Sequence, residues 1–164
     1  MQLDYAATSY LLGSRRATKE RLCAFTGAAL DIGKTSVVLA GTHEQIELAK
    51  LCVEVTLQQR RDARQTVPYD ELERRDDVET LDVPVDLVGF VLGAKGASLR
   101  SLESTHHVFL FFDNLRVRRG ANGACKRLFV IGSRRDRTRA IDEARRVCRR
   151  ERAHKPGTSP CAPS

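Results

Sequence analysis

The chain has 164 residues, enough for one domain or two small ones, and an apolar content of 41%, enough to bury a core. Aromatic residues make up 5% and tryptophan is absent, so small aliphatic cores are expected rather than one large aromatic one. A net charge of +7 and a pI near 9.5 point to an acidic partner, nucleic acid first, and no apolar run approaches membrane-spanning length, which argues against a membrane partner.

Cys23, Cys52, Cys125, Cys148 and Cys161 are odd in number and contain no C-x-x-C pair, the usage of free thiols in a reducing compartment. His43, His106, His107 and His154 make no metal-ligand spacing with them. The N-terminus has no apolar leader-like segment. A cytoplasmic or nuclear protein without metal or cofactor is expected.

In chain order, residues 4–12 read as a short helix, Gly13-Ser14-Arg15-Arg16 as a corner, and Ala17 to Phe25 as a second helix. Residues 29–32 form a short strand, Gly33-Lys34 a turn, and Ser36 to Ala40 a β-branched strand. Thr42 caps a long helix that runs to about Arg60. Residues 61–78 are mixed-charge and without period, a linker with room for one helical turn.

A strand from Glu79 to Val83 follows, ended by Pro84, and then a helix from Val85 to Leu92. Gly93-Ala94-Lys95-Gly96 is a corner, and a further helix spans Ala97 to Thr105. His107 to Phe112 is a strong strand, Asp113 to Lys126 a loop rich in Arg, Gly and Asn, and Arg127 to Ile131 a strand. Gly132-Ser133 caps a last helix from Arg134 to about Arg152, and a disordered tail is expected from residue 154.

The two halves repeat each other. Leu12 to Thr18 aligns with Leu92 to Ser98, Leu22 falls opposite Leu102, and Leu30 opposite Leu110. Val38-Leu39-Ala40-Gly41-Thr42 aligns with Phe129-Val130-Ile131-Gly132-Ser133, and Ala49 and Ala140 follow at the same spacing. Each half carries helix, corner, helix, strand, loop, strand, helix, and the second adds a leading strand.

On these residues both halves resemble the KH domain, an RNA-binding module, in its eukaryotic-type βααββα order. Residues 79–153 carry the full pattern, from Val83-Pro84 through Val88 to Gly96, Leu99 and Leu102, to Gly132-Ser133 and Ala140. Residues 1–60 depart from it: Arg16 stands where the second corner glycine belongs, and only Gln2-Leu3 remains of the first strand, which is missing or vestigial. The resemblance implies an α+β protein of two KH domains, each a three-stranded antiparallel sheet packed by three helices.

The resemblance also implies a narrow groove for about four unpaired nucleotides. Carried over, the amides of Gly93, Ala94, Lys95 and Gly96 meet phosphates, with Lys95 adding charge. Gly89, Val91 and Leu92, with Val108 or Leu110, form an apolar floor, although Val91 and Leu92 fit a core role as well. Arg100 reaches a phosphate from the second helix, and Arg116, Arg118, Arg119 and Lys126 close over the strand or stand solvated. Phe109, Phe111 and Phe112 fit either base stacking or the core. In the first half Gly13, Ser14, Arg15, Arg16 and Lys19 make a weaker site, Arg15 and Arg16 offsetting the lost glycine by charge, or else the corner is inactive and the domain a structural mate. The last helix, Arg134 to Arg152, is expected on the sheet face away from the groove, and its nine arginines against four acids make a plain exposed face in the first place or else an extra phosphate-steering surface.

Gly33-Lys34-Thr35-Ser36 mimics the end of a phosphate-binding P-loop, but Ala28 replaces the required earlier glycine and a strand follows where a helix is needed. Asp31 and Asp113 form no acid/base pair, so no catalytic residue is assigned. The partner expected is single-stranded RNA. Two readings remain beside it: single-stranded DNA, and protein docking on degenerate KH folds.

Overall fold

A computed structural model describes residues 1–60, 67–120 and 123–154, and the chain divides into two units, 1–69 and 70 onward. Residues 61–66 of the expected linker and 155–164 of the expected tail lie outside the described residues.

In the first unit α1 (Tyr5–Leu12) is capped by Asp4, whose carboxylate accepts from the Ala7 amide at 2.6 Å. A 3-10 turn, Ser14–Arg16, leads into α2 (Ala17–Thr26), which ends on Gly27 in the left-handed region. Strands β1 (Ala29–Ile32) and β2 (Val37–Ala40) pair antiparallel with Leu30 opposite Leu39. Then α3 (His43–Gln58) starts at a capping box, in which Thr42 Oγ1 accepts from Gln45 N and Gln45 Oε1 accepts from Thr42 N. Leu11, Leu22, Val37, Ala49 and Val53 are among its buried residues.

Residues 1–3 run beside β2. Val37 N donates to Met1 O, Leu3 N donates to Thr35 O, both at 2.9 Å, and Gln2 bridges Ser36 antiparallel. The pairing is a single bridge, too short to form a ladder.

One turn of helix, α4 (Tyr69–Leu72), begins on the last residue of the first unit, and β3 (Val78–Pro84) follows in the second. Next come α5 (Val85–Leu92), a 3-10 turn at Ala94–Gly96, and α6 (Ala97–His106), closed by His107 with φ 53°. The sheet is completed by β4 (Phe109–Phe112), β5 (Arg118–Gly120) and β6 (Gly123–Ile131), and α7 (Arg134–His154) follows. The strands run β3-β6-β4, all antiparallel, with β5 paired to the start of β6.

Strand alternation sorts the side chains. Leu110 and Phe112 on β4, and Leu128 and Val130 on β6, face the helices and join Leu87, Val91, Leu99, Leu102, Ala140, Ile141 and Ala144 in one core. Phe109, Phe111 and Phe129 take the other face and are also buried, with the Phe111 and Phe129 rings stacked at 5.1 Å.

Two expectations are corrected. The segment 113–126 is not one loop: β5 and the early part of β6 fold it into a hairpin, with Arg118 opposite Cys125. That hairpin end pairs Arg118, Arg119 and Gly120 with Cys125, Ala124 and Gly123, without large apolar side chains, so no hydrophobic alternation announces it. And α7 packs beside α5 and α6 on the same sheet face, because its Ala140, Ile141 and Ala144 enter the core that those helices share.

Candidate nucleic-acid interface

The two corners have one backbone shape. Gly93 has φ 69°, ψ 179°, Lys95 φ 52° and Gly96 φ 80°; the matching values are Gly13 φ 71°, ψ 171°, Arg15 φ 52° and Arg16 φ 64°. In each, the amide of the first position donates back into the preceding helix, Gly93 to Gly89 O and Gly13 to Ser9 O. The amide of the fourth donates to the carbonyl of the first, at 3.2 Å in both. Gly93 and Gly96 therefore spend their amides within the fold, contrary to the expectation that all four corner amides meet phosphate. Ala94 and Lys95 are the exposed positions, as are Ser14 and Arg15.

The glycines are needed for different reasons. A Cβ on Gly93 would collide with the Ser98 side-chain oxygen and stand 2.7 Å from Ser98 Cβ and 2.8 Å from its backbone nitrogen. A Cβ on Gly13 meets Thr18 in the same way. At Gly96 nothing lies within 4 Å, so only the positive φ favours glycine there, and the first corner places Arg16 at that site.

Helices α2 and α6, which follow the corners, have no side-chain cap at their N-termini, whereas α1 and α3 do. Uncapped first-turn amides are hydrogen-bond donors with a positive dipole behind them. Lys95, Arg15, Arg16 and Lys19 have no ion-pair partner among the described residues, so their charge is available to an anion.

Burial divides the remaining candidates. Gly89 is exposed, a Cβ there would meet nothing within 4 Å, and Leu92 is partly buried against the core. Val91, Val108 and Leu110 are sealed within that core, so they support the surface from beneath and are not a floor that bases touch. Phe109, Phe111 and Phe112 are each at most 3% exposed, which removes them as a stacking platform.

The arginines divide as well. Arg116 pairs with Asp70 at 2.8 Å, and Arg118 with Glu73 at 2.6 Å. Arg127 bonds both carboxylate oxygens of Asp82, at 2.8 and 3.0 Å, and reaches Glu73 at 2.9 Å. The hydrogen bond from Arg116 holds Asp70 below the ordinary carboxylate range, that from Arg127 does the same to Asp82, and the Arg127 guanidinium is held charged in return. Arg116 and Arg118 are thus already neutralised, unlike the expected free cations. Arg100 lies 3.5 Å from buried Glu103, while Arg119 is exposed and Lys126 half-buried.

Two acids that the sequence left without a role organise this region. Asp113, fully buried, accepts from the Leu115 and Arg116 amides at 2.9 and 3.1 Å and so starts the hairpin. Glu103 accepts from Leu110 N at 2.9 Å and ties α6 to β4. An Asp opening a polar loop was the one signal available for the first; nothing local marks the second. Among the described residues, no group of three His, Cys, Asp or Glu side chains is placed to hold a metal, and no helix is long and apolar enough to cross a membrane.

No curated protein sequence matches the chain. Among solved structures, a chain of the a/eIF2alpha–aDim2p–rRNA complex from Pyrococcus horikoshii OT3 is 14% identical, with a TM-score of 0.34, over 91% of this chain and 83% of that one. Dim2p from the same organism is 14% identical, with a TM-score of 0.33, over 90% and 88%. A protein of unknown function from Aeropyrum pernix is 13% identical, with a TM-score of 0.31, over 93% and 91%. At TM-scores below 0.5 these likenesses bear no weight. The family comparison is more local and matches the unit just described: residues 78–146 fit the KH domain.

Proposed function

We propose that the chain is a single-stranded RNA-binding protein, not an enzyme, and that its working site is the groove beside the Gly93–Gly96 corner. The observation that carries this is the corner itself: two exposed positions, Ala94 and Lys95, a free ammonium, and an uncapped helix directly behind them. The KH match over residues 78–146 supports nucleic-acid binding by this unit. Ala94 and Lys95 contact the sugar–phosphate chain, Gly89 and Leu92 offer the accessible apolar surface for bases, and Arg119 and Lys126 add charge from the hairpin. Gly93 and Gly96 act by shaping the corner.

The first unit is read as a second KH-like repeat with a degenerate corner. Its element order and corner dihedrals support this, and so does the remnant strand at residues 1–3. Exposed Arg15 and Arg16, with Lys19 behind them, make it an auxiliary phosphate site. Two weak sites on one chain gain affinity through effective concentration. The service is selective RNA recognition in processing or regulation, in the cytoplasm or nucleus.

The test is fluorescence anisotropy on a randomised unpaired RNA pool over a salt series. It compares the native chain with the double variant Ala94→Asp, Lys95→Asp, whose fold is checked by circular dichroism. Binding that weakens with salt and collapses in the folded variant supports the groove. Undiminished binding by the variant refutes it and leaves protein docking in its place, and a matched DNA pool separates RNA from single-stranded DNA.

A further inference from the structure

We propose that the outward face of α7 is a second nucleic-acid surface, which grips the phosphate backbone of a paired RNA stem next to the unpaired segment. α7 holds nine arginines against four acids and contains no lysine. Its inner stripe, Arg137, Ala140, Ile141 and Ala144, is buried, and the other eight arginines are exposed. Arg145 meets Asp142 and Arg150 meets Glu151, each at 3.5 Å. Arg134, Arg135, Arg139, Arg146, Arg149 and Arg152 have no acidic partner among the described residues. Glu143, on the flank, is occupied by His106 at 2.8 Å.

A face that serves solubility alone mixes both signs and uses lysine and glutamate freely. Here the exposed arginines outnumber the acids eight to four, with Asp142 within the stripe and Glu143 on its flank, and every cation before the terminal histidine is arginine, whose planar fork bonds phosphate through two donors. Positions 135, 139, 146 and 149 fall on one stripe at helical spacing. At 21 residues the helix is about 30 Å long, so the stripe spans many consecutive phosphates. No aromatic residue lies on α7 to stack a base, and the open hollow beside Glu143, Arg146, Val147 and Arg150 is walled mostly by charged side chains, which favours contact to the backbone. A duplex presents its phosphates outermost and stacks its bases inside, and it is recognised by shape and backbone. The phosphate-gripping face rests on α7 alone, and its place next to an unpaired segment rests on the groove reading.

The test uses the full chain and two probes, a blunt RNA duplex longer than one helical turn and an unpaired oligoribonucleotide, each over a salt series. Changing Arg135, Arg139, Arg146 and Arg149 together to Gln is expected to weaken duplex binding at least about tenfold. The salt slope should fall by about one per arginine. Binding of the unpaired probe should hold within about twofold. The pair Arg139→Gln, Arg146→Gln is expected to give about half the change in slope and serves if circular dichroism shows the quadruple variant misfolded. A native chain that leaves the duplex unbound, or folded variants that bind it as tightly as the native chain, overturns the proposal. Failure of the groove reading shows up elsewhere, as unpaired-RNA binding that ignores Ala94→Asp, Lys95→Asp.

Discussion

Gly93→Ala and Gly96→Ala should differ sharply, although both remove a corner glycine. At Gly93 the backbone (φ 69°, ψ 179°) lies in a region that essentially only glycine occupies, at a cost of about 1–3 kcal/mol for any other residue. The new Cβ also stands 2.8 Å from a backbone nitrogen, and relieving such overpacking costs about 1–3 kcal/mol more. At Gly96 (φ 80°, ψ 14°) there is open space, so the cost is only the left-handed one, about 1–2 kcal/mol. The reduced freedom of the unfolded chain offsets about 0.4–1 kcal/mol of that. Gly93→Ala is therefore expected to lower Tm by on the order of 15 °C and Gly96→Ala by about 5 °C or less. Urea and thermal unfolding, followed by circular dichroism, measure both. Equal costs would refute the argument, because they would mean that dihedral preference alone decides both positions.

The same reasoning predicts that Arg16→Gly raises the stability of the first unit by about 0.5–1 kcal/mol, since a left-handed arginine is relieved, as read by urea midpoint. Phe111→Ala and Phe129→Ala should each cost about 3–5 kcal/mol. A double-mutant cycle on that pair should return a coupling of about 0.5–1.5 kcal/mol from the stacked rings, and additive losses would contradict the stacking. Asp70, Asp77 and Asp82 are held low by arginine hydrogen bonds, so their contributions are complete above the unfolded carboxylate value, near pH 4, and are lost as pH falls toward their folded values. Asp82→Asn should accordingly flatten the acid limb of the stability–pH curve, and an unchanged limb would show that the pair with Arg127 contributes nothing.

Much of this architecture can be read from local pattern. Asp4, Thr42 and Ser133 mark helix starts, Pro84 ends β3, and the equal spacing of Leu22 and Leu102 from their corners exposes the repeat. What could not be read depends on distant partners. Nothing near Arg116 or Arg118 announces that Asp70 and Glu73, more than forty residues earlier, will neutralise them. Both sheet faces being buried hides the role of the phenylalanines, because alternation separates faces only when one of them is wet. The hairpin at β5 escaped because its pairing rests on backbone hydrogen bonds with little apolar content to signal it. Val91 was ambiguous for a related reason: one helix presents core and groove residues one position apart, and sequence does not fix the rotation between them.

The pairs from Arg116 and Arg118 to Asp70 and Glu73 make the hairpin a competitor as well as a platform. Any polyanion that captures those guanidiniums must first displace a carboxylate, and the exposed Arg116–Asp70 pair, screened by solvent, yields more readily than the half-buried Arg118–Glu73 pair. Capture by ligand and release of the Asp70 carboxylate are then one linked equilibrium, with each event favouring the other by the same factor, while Glu73 stays held by Arg127. The segment leading into β3 becomes a readout of occupancy, and its loosening, followed by amide exchange, reports ligand at the hairpin without any label on the ligand itself.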